Sequence, residues 1–151
     1  MALDLDAEFR AIVAAFDGAG IDYAVVGALA LAVHGAPRAT TDIDLLVRPE
    51  SVDRILEVVA PLGFAHQALP MTFADGMRIR RVTKIAEGDS LTLDLILVDE
   101  NLEPVWATRT SVATAAAAIR VVSRDALIRM KLAAGRSQDV ADVERLREQD
   151  R

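Results

Sequence analysis

The sequence predicts an α/β (α+β) domain in which a small mixed β-sheet is flanked by helices and followed by C-terminal helices. Three observations carry this reading. The hydrophobic pattern runs helix, strand, helix, strand, helix, then a hairpin, then terminal helices. Hydrophobic residues are 52% and charged residues 26% of 151, enough to bury a core of ordinary size. No repeat, low-complexity segment or linker composition divides the chain, so residues 1–151 are read as a single domain.

The elements follow in order. Leu5, Phe9, Ile12, Val13 and Phe16 fall on one helical face, with Asp4 or Asp6 available as N-cap, and "DGAG" stops that helix. "IDYAVVG" is a short buried strand, and Gly27 turns the chain into "ALALAVH", a helix ending at Gly35 with Pro37 beyond. "TDIDLLV" is the next strand, and "PESVDRILEVVAPLG" a helix with Val52, Ile55, Leu56 and Val59 inward. Residues 64–76 carry no clear period. "MRIRRVTKI" and "LTLDLILV", joined by "AEGDS", form an antiparallel hairpin with Gly88 in the turn. "NLEPVWATR" is a short helix capped by Asn101. "SVATAAAAIRVV" mixes helix-favouring alanines with a strand-favouring end, which assigns a strand to 120–122. Ser123 caps "RDALIRMKLAA", Gly135 ends it, and Ser137 caps "QDVADVERLRE".

Composition excludes several classes. The chain has no cysteine, hence no disulfide, thiolate metal site or cysteine nucleophile, which suits a reducing cytoplasm. Its start lacks the positive n-region of a signal peptide, and no stretch approaches the ~18 consecutive apolar residues of a membrane span. A cytoplasmic protein with no membrane partner is expected. The net charge of −6 argues against coating nucleic acid in general, while leaving room for a small local basic site.

The chemistry lies in the acids. Strand side chains alternate, so Asp42 and Asp44 point to one side while Ile43 and Leu45 point to the other. Asp94 sits inside "LTLDLILV", opposite the face that Leu91, Leu93, Leu95 and Leu97 can share. If the two strands are neighbours, three carboxylates converge on one patch. Such a cluster is destabilising unless something positive sits in it. Hard divalent cations take oxygen ligands, and two ions ~4 Å apart can clamp the attacking and leaving oxygens of a phosphoryl or nucleotidyl transfer. For one of these acids alone, helix capping or pairing with Arg38 would be the better reading. Gly27, between a strand and a helix start, offers free backbone N–H groups to an anion.

Gly27-Ala28, His34-Gly35 and Arg38-Ala39-Thr40-Thr41-Asp42-Ile43-Asp44, with Asp94 and "LIRMKLAAGRSQDVADVERL", together resemble the nucleotidyltransferase superfamily typified by DNA polymerase β, closest in look to its minimal nucleotidyltransferase and AbiEii-like toxin branch. The resemblance spans roughly residues 21–146. It implies a nucleotidyltransferase-like fold, and Asp42, Asp44 and Asp94 as catalytic residues and ligands of Mg²⁺, two ions, with Mn²⁺ as the alternative. It also implies that Gly27, Ala28, Arg38, Thr40 and Lys131 bind nucleotide or phosphate, with Arg80, Arg136 and Asp139 in support. Where many active members have serine after the glycine, this chain has Ala28, which removes one phosphate contact worth ~1–3 kcal/mol.

Each supporting residue has a second reading. Lys131 either reaches phosphates or is a solvated lysine with its stem along the surface. Arg38 binds phosphate or bridges to orient the aspartate strand. Asp139 accepts from Arg136 or Arg129. The basic stretch "RIRRVTK" would set Arg80 or Arg81 across from Asp94, or simply protect an edge strand by charge. His34 belongs to a helix terminus, and two histidines make a poor zinc site and disfavour a metal-dependent phosphohydrolase.

The expected function is Mg²⁺-dependent transfer of a nucleoside monophosphate from a nucleoside triphosphate to a hydroxyl of a small molecule, protein or RNA end, with a toxin–antitoxin system as a candidate setting. The alternative is a non-catalytic module of the same fold that binds a toxin–antitoxin partner. A second copy of the chain is a further candidate partner.

Overall fold

Asp4 sets the start of the first helix: its carboxylate accepts the amides of Asp6 and Ala7, leaving α1 to run over Leu5–Ala19 until Gly20, at φ +68°, closes it. The computed structural model describes residues 3–114 and 117–149 of the chain. After α1 come β1 (Ala24–Val26), α2 (Gly27–Val33), β2 (Asp42–Val47) and α3 (Val52–Val59), the last flanked by single 3-10 turns at Pro49–Ser51 and Ala60–Leu62. His34 closes α2, and Gly35 is the residue after it. The stretch without a clear period contains β3 (Phe64–Gln67) and β4 (Met71–Thr72), short strands that both pair with β5 (Arg78–Ala86).

β5 and β6 (Asp89–Leu97) form the expected hairpin around the two-residue turn Glu87-Gly88. Both turn residues have positive φ, +52° and +80°, the geometry that matches the right-handed twist of paired strands. α4 is the single turn Glu103–Trp106. Asp99, not Asn101, holds its start by accepting the Leu102 amide at 3.0 Å. The alanine-rich stretch yields two strands rather than one, β7 (Thr110–Ala113) and β8 (Ala118–Val121), with residues 115 and 116 between them outside the described residues.

Ser123 caps α5 (Arg124–Ala134) as the sequence predicts, and Gly135 ends it. α6 (Ser137–Glu148) starts differently. Ser137 is its first helical residue, and the cap is the Asp139 carboxylate reaching back to the Arg136 amide at 3.1 Å.

The sheet order is β3-β5-β6-β2-β1-β8-β7, mostly antiparallel, with parallel pairs only at β2/β6 and β1/β8. β5 therefore lies inside the sheet rather than at its edge, so its arginines do not serve to blunt an exposed strand. One face carries Ile43, Leu45, Leu93 and Leu95, all at 0% exposure, in one aliphatic core with Phe9, Ile12 and Phe16 of α1 and Ile55 and Val59 of α3. Full burial of each such side chain contributes ~1.5–3 kcal/mol. That face is covered and filled, so the polar chemistry is confined to the other. Among the described residues no helix is long and apolar enough to cross a membrane.

Candidate active site

The parallel pairing of β2 with β6 sets Asp44 directly beside Asp94 and Asp42 beside Thr92. Alternation then sends all three carboxylates to the face away from the aliphatic core, where they line one cavity of about 340 Å³. The condition set by the sequence, that the two strands be neighbours, is met in register.

Gly27 is the closest constraint on the acids. It has φ +65°, and a Cβ built on it would lie 2.1 Å from Asp44 Oδ2 and 2.9 Å from its Cγ. Glycine is needed both for the backbone conformation and for room to seat the Asp44 carboxylate against the start of α2. Gly27 and Ala28 line the cavity, and no side chain caps α2. Thr40 also lines it, but its hydroxyl accepts the Asp42 amide at 3.0 Å, fixing the beginning of β2.

The Asp44 carboxyl is pushed up to about 7. Burial is the largest cause, and the charges of Asp94 and Asp42 add to it, against the opposing pull of Lys131 and Arg81. Asp94, only 6% exposed, is gripped bidentately by Arg81, Nε to Oδ1 at 2.8 Å and Nη2 to Oδ2 at 3.0 Å. That bond, with the surrounding acids, raises the Arg81 guanidinium above its usual value. Arg80 pairs across the hairpin with Leu95 and stands on the opposite face, so Arg81 takes the position beside the acids.

The cations contributed by the C-terminal helices are committed elsewhere. Lys131, 7% exposed, is not a surface lysine: its Nζ lies 2.9 Å from Asp142 Oδ2 and 3.6 Å from Asp139 Oδ1. Arg38 binds Asp142 through Nε at 3.1 Å and Nη2 at 3.3 Å, so its bridge goes to α6 and not to the aspartate strand. Gln138 donates to the same Asp142 carboxylate. Burial would raise Asp142, but the hydrogen bonds from Lys131, Arg38 and Gln138 overcome it and hold the group below the ordinary carboxylate range. Asp139 is held low in the same way by Arg136, side chain and backbone, against its burial. Arg136 remains largely exposed and lines the cavity.

Asp142 is the participant that sequence reasoning did not single out, and Arg81 is one of the two arginines it left open opposite Asp94. A signal for Asp142 exists: Asp139, Asp142, Val143 and Leu146 form the buried stripe of α6, and two acids in an otherwise apolar stripe require buried cations. His34 lies outside the cavity lining, its Nε2 2.9 Å from the Val122 carbonyl oxygen.

The charge balance follows. Arg81 neutralises Asp94, and Lys131, Arg38 and Arg136 neutralise Asp139 and Asp142. Among the described residues no ion pair reaches Asp42 or Asp44. No three acidic or imidazole side chains among the described residues close on a single metal position, and both Asp94 oxygens are turned to Arg81. The donor set nevertheless fits a hard divalent cation: two unneutralised carboxylates from one strand, one of them with a raised proton affinity, and a third carboxylate beside them.

No family model and no curated protein matches the sequence. Solved structures do match. ANT(2'')-Ia, an antibiotic-resistance factor, aligns in its solution structure over 93% of this chain and 80% of its own at 15% identity, with a TM-score of 0.65. In its crystal structure in complex with adenylyl-2''-tobramycin it aligns over 91% and 84% at 15% identity, with a TM-score of 0.61. A Thermotoga maritima protein provisionally assigned as a nucleotidyltransferase aligns over 97% and 94% at 18% identity, with a TM-score of 0.64. The mixed sheet flanked by helices is shared across nearly the whole chain, and this protein has the nucleotidyltransferase fold.

Proposed function

We propose that this protein is a nucleotidyltransferase that moves a nucleoside monophosphate from a nucleoside triphosphate to an acceptor hydroxyl. The observation that carries the reading is the pair Asp42 and Asp44, left without a cation in a cavity whose other acids are all neutralised. Mg²⁺, or Mn²⁺ in its place, would be held by Asp42, Asp44 and Asp94, two ions in all. When bound, it would neutralise triphosphate charge and acidify the acceptor hydroxyl.

The chain's own groups do the positioning. Gly27 leaves room for the Asp44 carboxylate, and Thr40 fixes the strand that carries Asp42. Asp94, oriented by Arg81, takes the acceptor proton. Arg136, paired with Asp139 but largely exposed at the cavity wall, faces the phosphates, while Lys131 and Arg38 act from behind through Asp142. The acceptor oxygen bonds to the α-phosphorus, the bond to the bridging oxygen breaks, and pyrophosphate departs. Adenylyl-2''-tobramycin on a solved neighbour supports a small-molecule acceptor, with a protein or RNA end as the alternatives. A cytoplasmic setting and a role in an AbiEii-like toxin–antitoxin pair or a homodimer belong to the same proposal.

A second reading, a non-catalytic partner-binding module, is favoured by one feature: Arg81 takes both oxygens of Asp94. One experiment separates the two. The protein is incubated with each α-labelled nucleoside triphosphate and Mg²⁺, beside Asp42→Ala/Asp44→Ala. Pyrophosphate release that vanishes in the variant is expected. Nucleotide binding without turnover in the wild type moves the assignment to the partner module.

A further inference from the structure

A second cavity, about 710 Å³, opens beside the carboxylate cavity and shares its wall of Phe73, Met77, Ile79 and Met130. Its far side is Leu102, Pro104, Val105 and Ala133. The two form one trough, acidic at one end and apolar along the rest, and the volume suits a drug-sized molecule. Phe73 is 49% exposed, a large aromatic surface kept open at the junction.

The charges on the trough exclude several occupants. Asp75 and Asp99 line it, but each already accepts a backbone amide, from Met77 and Leu102, both at 3.0 Å. Arg129 and Arg136 line it too, Arg136 being already paired with Asp139. The wall is mainly apolar, so a polycation would meet only two carboxylates along it, both already hydrogen-bonded, and a nucleic-acid end would find no basic stripe. An uncharged body with apolar surface matches it.

We propose that this trough is the acceptor site, taking an uncharged small molecule whose apolar body lies between Val105 and Ala133 and whose hydroxyl reaches past Met130 toward Asp94. This rests on the nucleotidyl-transfer reading above. The transfer joins the hydroxyl oxygen to the α-phosphorus, releases pyrophosphate, and passes the hydroxyl proton to Asp94 and then to water. Ala133 lines only the second cavity, on the exposed side of α5, so Ala133→Arg places bulk and charge in the apolar end without touching the acids.

The test uses phenylbutanol as probe, with tobramycin and a short RNA as competitors. Binding is followed by ligand-observed NMR, transfer by label from the α-phosphate, and nucleotide affinity separately by titration. The wild type should bind and label phenylbutanol, and Ala133→Arg should weaken that binding at least tenfold while keeping its nucleotide affinity and its thermal unfolding. Pyrophosphate release without phenylbutanol binding, equal binding by Ala133→Arg, or preferential labelling of tobramycin or RNA overturns the acceptor assignment alone. Phenylbutanol binding with no pyrophosphate release from any triphosphate overturns the transfer reading, and the acceptor role with it.

Discussion

Gly27→Ala is the substitution whose effect can be worked out most fully. Two contributions add. At φ +65° an L-residue is less stable than glycine by ~1–2 kcal/mol, whatever space surrounds it. The new Cβ would also meet Asp44 Oδ2 at 2.1 Å, far inside the ~3.5 Å of ordinary contact, so the carboxylate must leave its place or β2 must shift. Overpacking of this kind adds ~1–3 kcal/mol. The sum is ~2–5 kcal/mol, or a midpoint lowered by roughly 4–20 °C in a chain of this size. Gly20 provides the control, because its φ is +68° and nothing lies within 4 Å of the added Cβ; Gly20→Ala bears the conformational part alone.

The assay is urea unfolding followed through the single Trp106, which is buried. Gly27→Ala is then repeated in an Asp44→Ala background, where only a Cβ at 3.0 Å remains opposite the new methyl. The cost of Gly27→Ala should fall there toward that of Gly20→Ala, a coupling of ~1–2 kcal/mol. Equal costs for Gly27→Ala and Gly20→Ala, or no coupling to residue 44, would refute the claim that Gly27 exists to seat that carboxylate.

Two further outcomes follow from the charges. The folded protein holds a proton on Asp44 up to about 7, against an ordinary value of 3.8, so the stability from this group is present below about pH 4 and is lost as pH rises through about 7. The ceiling is ~4 kcal/mol, reduced to ~1–2 kcal/mol at a half-buried site that can relax; in chelator, Asp44→Asn should gain on the wild type between pH 5 and 8, and parallel urea midpoints across that range would refute it. Asp139 and Asp142, held low, lose their contribution only as pH falls below the ordinary carboxylate range, outside that window. Asp142→Ala strands the buried Lys131 ammonium and frees Arg38, and should destabilise by ~3–5 kcal/mol in urea unfolding. A loss below ~1 kcal/mol, the range of a solvated surface pair, would show that the network is exposed in solution.

How far the sequence reached is clearest at the hairpin. Alternation alone placed Asp94 on the face opposite its leucine neighbours, and the glycine turn alone joined the two strands. The choice between Arg80 and Arg81 depended on turn length. A two-residue turn pairs Ala86 with Asp89 and thereby Arg81 with Asp94, whereas a slip of one residue would have sent Arg81 to the core face. "AEGDS" is compatible with more than one turn, so the sequence leaves Arg80 and Arg81 both open, and the register selects Arg81.

Local periodicity determined the helices, most of the strands, the common face of Asp42 and Asp44, and the need for Gly27 at a strand-to-helix turn, because each follows from a few neighbouring residues. Only the tertiary structure decided that β2 and β6 are parallel neighbours in the register that sets Asp44 beside Asp94. It also decided that Lys131 is buried on Asp142, and that Arg38 reaches an aspartate 104 residues away. Those outcomes are set by which elements pack together and by the need to neutralise charges such as Lys131 and Asp142 that packing buries, and neither is written in a window of adjacent residues.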